Sequence, residues 1–201
     1  MMFGGSRNPA STIAATEDGS IRMDSIKKPD VFYGISHPIN QNDFDKRYGF
    51  KSDKKTYSVS CQTNSMINVY GGTNGVPQRT LDRAVGKWKE NNYIYSDGSP
   101  RELNEMSAIL AEEQGLTKYH TLIRENNDFK HMSEEEFLKS DYTCGILKKV
   151  GKKVGDQHFL AVIKNSDGTL TILDSNPDVE LNYEFDYIMP MKELPLPNKT
   201  E

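Results

Sequence analysis

Of the chain's two cysteines and four histidines, one pairing comes with the surroundings that thiol chemistry requires. Ser58 and Ser60 offer N-cap side chains just before Cys61, and the spacing of Met66, Ile67, Val69 and Tyr70 behind it predicts a helix from about 61 to 70. A free thiol titrates near about 8.5, so it is mostly protonated at neutral pH; a helix N-terminus and a neighbouring imidazolium both favour the thiolate. His158 supplies the imidazole at the head of an apolar run that ends at Lys164, and Asp174 closes the following run. Between them lies Asn165-Ser166-Asp167-Gly168, a hairpin signal because Asn and Asp tolerate turn conformations and Gly accepts positive φ. Folding on that turn sets His158 and Asp174 side by side, and a carboxylate beside an imidazole fixes its tautomer and orientation. Cys61, His158 and Asp174 therefore fit the roles of nucleophile, base and orienter. Asn176 competes for the third role. Asp174 is preferred because the run Leu170 to Leu173 fixes its direction, whereas Asn176 precedes Pro177 and suits a turn.

The remaining reactive side chains carry blander expectations. Cys144 lies in "YTCGILKKV", a strand pattern, and reads as a core or edge-strand residue. His37, His120 and His131 lack a partner at recognisable spacing and read as surface or core histidines. Lys148, Lys149, Lys152 and Lys153 cluster around a turn, where solvation is the first expectation and contact with an acidic partner the second. No CxxC or HxxxH spacing is present, so neither a metal nor any other cofactor is expected.

Positioning these residues requires helices first and strands second. Leu81, Ala84, Val85 and Trp88 share one helical face, as do Leu103, Met106, Ile109 and Leu110. Tyr119 to Ile123 suits a short strand, and Ser133 with Glu136 forms a capping box for another short helix. From Tyr142 the pattern turns to strands: Tyr142 to Val150, His158 to Lys164, Thr169 to Asp174 and Tyr183 to Met189. The expected fold class is α+β, with helices packed on a C-terminal antiparallel sheet. Pro29 to Phe50 reads as irregular. The expected organisation is a flexible polar leader over 1–30, one domain over 31–190 and a proline-punctuated tail over 191–201.

Composition narrows the function further. With 201 residues, 35% apolar and 27% charged, the chain suits a single polar domain with a modest core. No stretch reaches the roughly 18 apolar residues of a membrane span. A net charge of −4, with scattered Lys and Arg, removes the electrostatic reason to expect nucleic acid as a ligand. The first residues lack a basic-then-apolar export layout, so the expected location is the cytoplasm or a destination reached without a signal peptide.

Two segments resemble a known family. "SCQTNSMINVYGGTNGVPQRTLDRAV" resembles the helix that opens papain-fold cysteine peptidases of the double-glycine leader peptidase type. "DQHFLAVIKNSDGTLTILDSNP" resembles the same group's histidine strand, hairpin and D-x-N-P end, and together the two cover about a quarter of the chain. The resemblance, shared with bacterial effector cysteine proteases, implies a papain-like fold with Cys61 as nucleophile, His158 as general base and Asp174 as orienter. It implies a protein substrate, such as a host protein, and a secreted virulence effector. Two departures stand out: Gln62-Thr63 replaces the family's Gly-Pro after the cysteine, and Lys55 stands where a glutamine usually precedes it by six positions. The oxyanion and substrate contacts then fall to the Cys61 N–H together with Gln62, Tyr57 or Asn176, or to Ser60, Asn40 or Gln41. Glutamine deamidase, transglutaminase and cell-wall amidase activities remain open on the same residues, as does a binding module that has lost activity.

Overall fold

The computed structural model describes residues 10–15, 21–27, 37–52, 58–152, 156–176 and 184–197. Helices occupy the first half of the domain. Asn40 accepts the N–H groups of Asn42 and Asp43 and so caps α1 (Gln41–Tyr48), which Gly49 closes at φ 76°. α2 (Cys61–Val69) is followed by the single turn α3 (Gly72–Gly75), then α4 (Gln78–Glu90) and α5 (Leu103–Glu113). α6 (Glu134–Lys139) starts at the expected capping box, in which the Ser133 hydroxyl accepts the Glu136 N–H and the Glu136 carboxylate accepts the Ser133 N–H.

The strands β1 (Ala10–Ala15), β2 (Ile21–Lys27), β3 (Lys118–Leu122), β6 (Cys144–Val150), β7 (Gln157–Lys164), β8 (Leu170–Leu173) and β9 (Glu184–Pro195) form one sheet in the order β2-β1-β8-β7-β6-β9-β3. Every pairing is antiparallel. The pair β4 (Arg124–Glu125) and β5 (Asp128–Phe129) stands apart.

Both faces of this sheet are covered, which explains why "HFLAVI" reads as an unbroken apolar run instead of an alternating one. Along β7, Phe159, Ala161 and Ile163 join the cluster formed with α2, α4 and α5, while Leu160 and Val162 join a second cluster around Phe137 of α6. Trp88 and Met106 are fully buried in the first cluster, and the indole N–H of Trp88 donates to the Met106 carbonyl at 2.9 Å. This mixed helix and sheet architecture is of the α+β class.

Four expectations differ from the structure. The stretch assigned to a flexible leader contributes β1 and β2, with β1 paired to β8 from Ala10 opposite Leu173 to Ile13 opposite Leu170. The stretch assigned to irregular chain contains α1, whose single fully apolar anchor, Phe44, gives too weak a period to detect. The strand placed at Tyr183 to Met189 runs on to Pro195, so the first half of the expected tail is β9, paired with β3. Finally, Ser60 takes the N-cap position of α2 but makes no side-chain cap bond, because Asp45 claims its hydroxyl.

Candidate active site

Cys61 is the first residue of α2, and the loop before it is held by an acid from α1. Ser58 Oγ donates to Asp45 Oδ2 at 2.5 Å and Ser60 Oγ donates to Asp45 Oδ1 at 2.6 Å. Burial raises the Asp45 pKa, the two hydroxyls pull it back down, and the nearby charge of Asp97 adds to the rise. On the helix side, Asn64 Nδ2 donates to the Ser60 carbonyl at 2.9 Å and Ser65 Oγ donates to the Cys61 carbonyl at 2.7 Å. Thr63 Oγ1 reaches across to the Gly98 carbonyl at 2.7 Å. The backbone at Cys61 is therefore fixed from three directions. No side chain caps α2, so the N–H groups of its first turn keep their positive end aimed at whatever sits beside the sulfur.

The imidazole and the carboxylate arrive from the sheet. β7 and β8 pair with Ala161 opposite Leu173, and the chain one residue beyond β8 delivers Asp174 to His158. His158 Nε2 and Asp174 Oδ1 are 2.7 Å apart, with the two side chains only 6% and 15% exposed. The same Oδ1 accepts the backbone N–H of Asn176 at 2.9 Å, a local turn that fixes the carboxylate's direction. Burial alone would lower the His158 pKa, but hydrogen bonds to Asp174 and to the Cys61 side chain, with the charges of both, outweigh it and lift His158 to about 9. Since Nε2 is engaged by the carboxylate, Nδ1 is the nitrogen left for the sulfur. The structure thus brings Cys61, His158 and Asp174 together.

A second link joins the two halves of the site. The buried Gln41 donates its backbone N–H to the Ser175 carbonyl at 2.8 Å and accepts the Ser175 hydroxyl at Oε1 at 2.7 Å. Its Nε2 makes only a long contact of 3.4 Å with the Ser58 carbonyl. Gln41 therefore bridges the residue after Asp174 and the loop before Cys61, with a side-chain amide that has donor capacity to spare. Asn40, its neighbour, accepts the Asn42 and Asp43 N–H groups with its Oδ1 and so caps α1. Gln62 is half-buried in the first turn of α2, and Asn176 contributes through its backbone N–H. Tyr57 and Lys55 lie outside the described residues.

The chain contains a second cysteine and histidine in contact, which sequence spacing did not reveal. Cys144 Sγ lies 3.6 Å from His120 Nδ1, with both residues buried. Burial pushes the Cys144 thiol up to about 12, aided by the charge of Glu193, and pulls the His120 imidazole down. Both groups are neutral. The His120 ring packs edge-on against Tyr70 at 4.9 Å, while the Tyr70 hydroxyl accepts the His120 backbone N–H at 2.9 Å. Cys144 is a core residue, and His120 shares its core environment. His131 stacks on Tyr187 at 3.7 Å, and the His37 carbonyl accepts the Thr73 N–H.

Among the described residues no group of His, Cys, Asp and Glu could hold a metal ion, and no helix is long and apolar enough to cross a membrane. No family model, curated protein or solved structure matches this chain.

Proposed function

We propose that this protein is a thiol hydrolase of papain-like type that cleaves an amide bond in a protein substrate. The observation that carries the reading is the joint engagement of His158 by Asp174 and Cys61, which makes the imidazolium the favoured form. A helix N-terminus and a neighbouring cation are the surroundings that thiol chemistry uses.

In this reading the Cys61 thiolate attacks the substrate carbonyl carbon, and the displaced electron pair collects on the carbonyl oxygen. The Cys61 N–H at the start of α2 and the spare Gln41 amide are suited to receive that oxyanion. Collapse of the tetrahedral adduct breaks the C–N bond, and His158 gives its proton to the departing nitrogen. Water then attacks the thioester, His158 takes its proton, and the acid product leaves Cys61 as it began. Asp174 holds the imidazole in the required orientation at every step. A deamidase or transglutaminase would use the same acyl-enzyme, releasing ammonia in the first half and admitting water or an amine in the second.

The test is the rate of Cys61 alkylation by iodoacetamide against pH, in a Cys144→Ser background with and without His158→Ala. Rapid alkylation well below pH 7 that disappears without His158 is expected. A thiol that titrates near about 8.5 in both proteins would rule out the activated pair.

A further inference from the structure

The lysine cluster around the turn after β6 divides once its neighbours are considered. Lys148 is occupied: its Nζ lies 3.4 Å from Asp186 and 5.0 Å from the centre of the Tyr187 ring. Lys152 is exposed. Lys149 is neither. It is half-buried, and among the described residues it makes no hydrogen bond or ion pair, whereas the other half-buried lysines, Lys130, Lys148 and Lys164, each have a carboxylate or carbonyl partner.

Register places this cation at the site. Lys149 is the direct partner of His158 in the β6 to β7 ladder, and directly opposed residues of an antiparallel pair project from the same face. Asp174 follows β8 on the other flank of β7, diagonal to His158 in the β7 to β8 register, so Lys149 and Asp174 stand on opposite flanks of His158. The residue opposite Lys149 on β9 is Phe185, which offers no charge. Asp174 is the carboxylate whose charge acts on Lys149, yet its Oδ1 already serves His158 and the Asn176 N–H. A half-buried ammonium with no hydrogen bond or ion pair among the described residues, across the ladder from the imidazole, suits an anionic group. Which part of the substrate would fill it follows from the chemistry. His158 protonates the departing nitrogen, so the segment released with that nitrogen passes on the His158 side of the sulfur, and Lys149 is the residue directly opposite His158.

We propose that Lys149 reads an acidic side chain in the leaving segment of the substrate, so that cleavage favours sites followed within a few residues by aspartate or glutamate. This inference rests on the thiol-hydrolase reading. Two experiments test it separately from that reading. In the Cys144→Ser background, the alkylation rates of Cys61 by iodoacetate and by iodoacetamide are compared for the parent chain and for Lys149→Met, Lys149→Arg and Lys149→Glu. The anionic to neutral rate ratio is expected to fall about threefold in Lys149→Met and further in Lys149→Glu, and to be kept in Lys149→Arg, with the differences shrinking in high salt. Digestion of a mixed peptide library is expected to enrich Asp and Glu in the first three positions after the cut, and Lys149→Met is expected to flatten that enrichment. A ratio unchanged by Lys149→Glu, or cleavage with no acidic enrichment, would overturn the role of Lys149 while leaving the thiol hydrolase standing. A Cys61 that iodoacetamide alone fails to modify overturns the hydrolase reading, and this inference with it.

Discussion

The two cysteines form a natural control for each other. Each touches a histidine, but only the Cys61 pair has a carboxylate hydrogen-bonded to its imidazole, while burial keeps the Cys144 and His120 pair neutral. The expected result at pH 8 is alkylation of Cys61 alone in the folded protein, read by peptide mass mapping, with Cys144 modified only after denaturation. Replacing Asp174 by Asn keeps a hydrogen-bonding group but removes the charge, and turnover is expected to fall by about 10²- to 10⁴-fold, read as kcat. Folding raises the His158 pKa from 6.5 to about 9, so the stability it brings is complete below pH 6.5 and disappears as pH rises through about 9. Urea midpoints should therefore fall more between pH 6.5 and 9.5 in the parent than in His158→Gln. At this scale the sequence was informative: a cysteine at a helix start and a histidine and an acid flanking one hairpin point to each other. Gln41 and Lys149 were less visible, since their significance comes from a 134-residue contact and from a strand register that local spacing does not encode.

Elements fix the site more tightly than the three side chains suggest. The turn at Gly98, with φ +86°, lies against the loop before Cys61; a Cβ there would stand 2.9 Å from Ser60 Cβ and 3.2 Å from Phe50 Cγ. Gly115 has a similar φ of +74° with nothing within 4 Å, so it separates backbone strain from crowding. Gly115→Ala is expected to cost about 1 kcal/mol in a urea melt and leave Cys61 alkylation unchanged. Gly98→Ala is expected to cost more, about 2 to 3 kcal/mol, and to slow alkylation as well. The legible elements were those with a strong period or a strong stop: α4, α5, the capping box of α6 and the Asn165 to Gly168 hairpin. α1 escaped because its signals were the caps Asn40 and Gly49 around one apolar anchor, and β1 because its partner β8 is far along the chain. The α2 cap was misread for a related reason. Ser60 is a good capping residue by type, but the buried Asp45 offers its hydroxyl a charged acceptor, and a charge-assisted bond is stronger than a neutral cap.

At the scale of the whole molecule the site lies at the seam between the helical layer, which supplies Cys61, and the sheet, which supplies His158 and Asp174. The sheet's other face rests on a separate apolar cluster around Phe137, which is fully buried. Phe137→Ala is expected to lower stability by about 3 to 5 kcal/mol while the folded fraction keeps its low-pH alkylation arm, a comparison readable by chemical denaturation and thiol labelling. The order of strands carries one more consequence. β9, the last of the described strands, sits inside the sheet between β6 and β3, and Gln41 waits for Ser175 to link the loop before Cys61 to the residue after Asp174. A ribosome that has delivered Cys61 and its helix has therefore made a thiol without its imidazole or carboxylate. The sheet that holds those two stays open until β9 has followed them, so the thiol is made first and its imidazole and carboxylate are fixed beside it last.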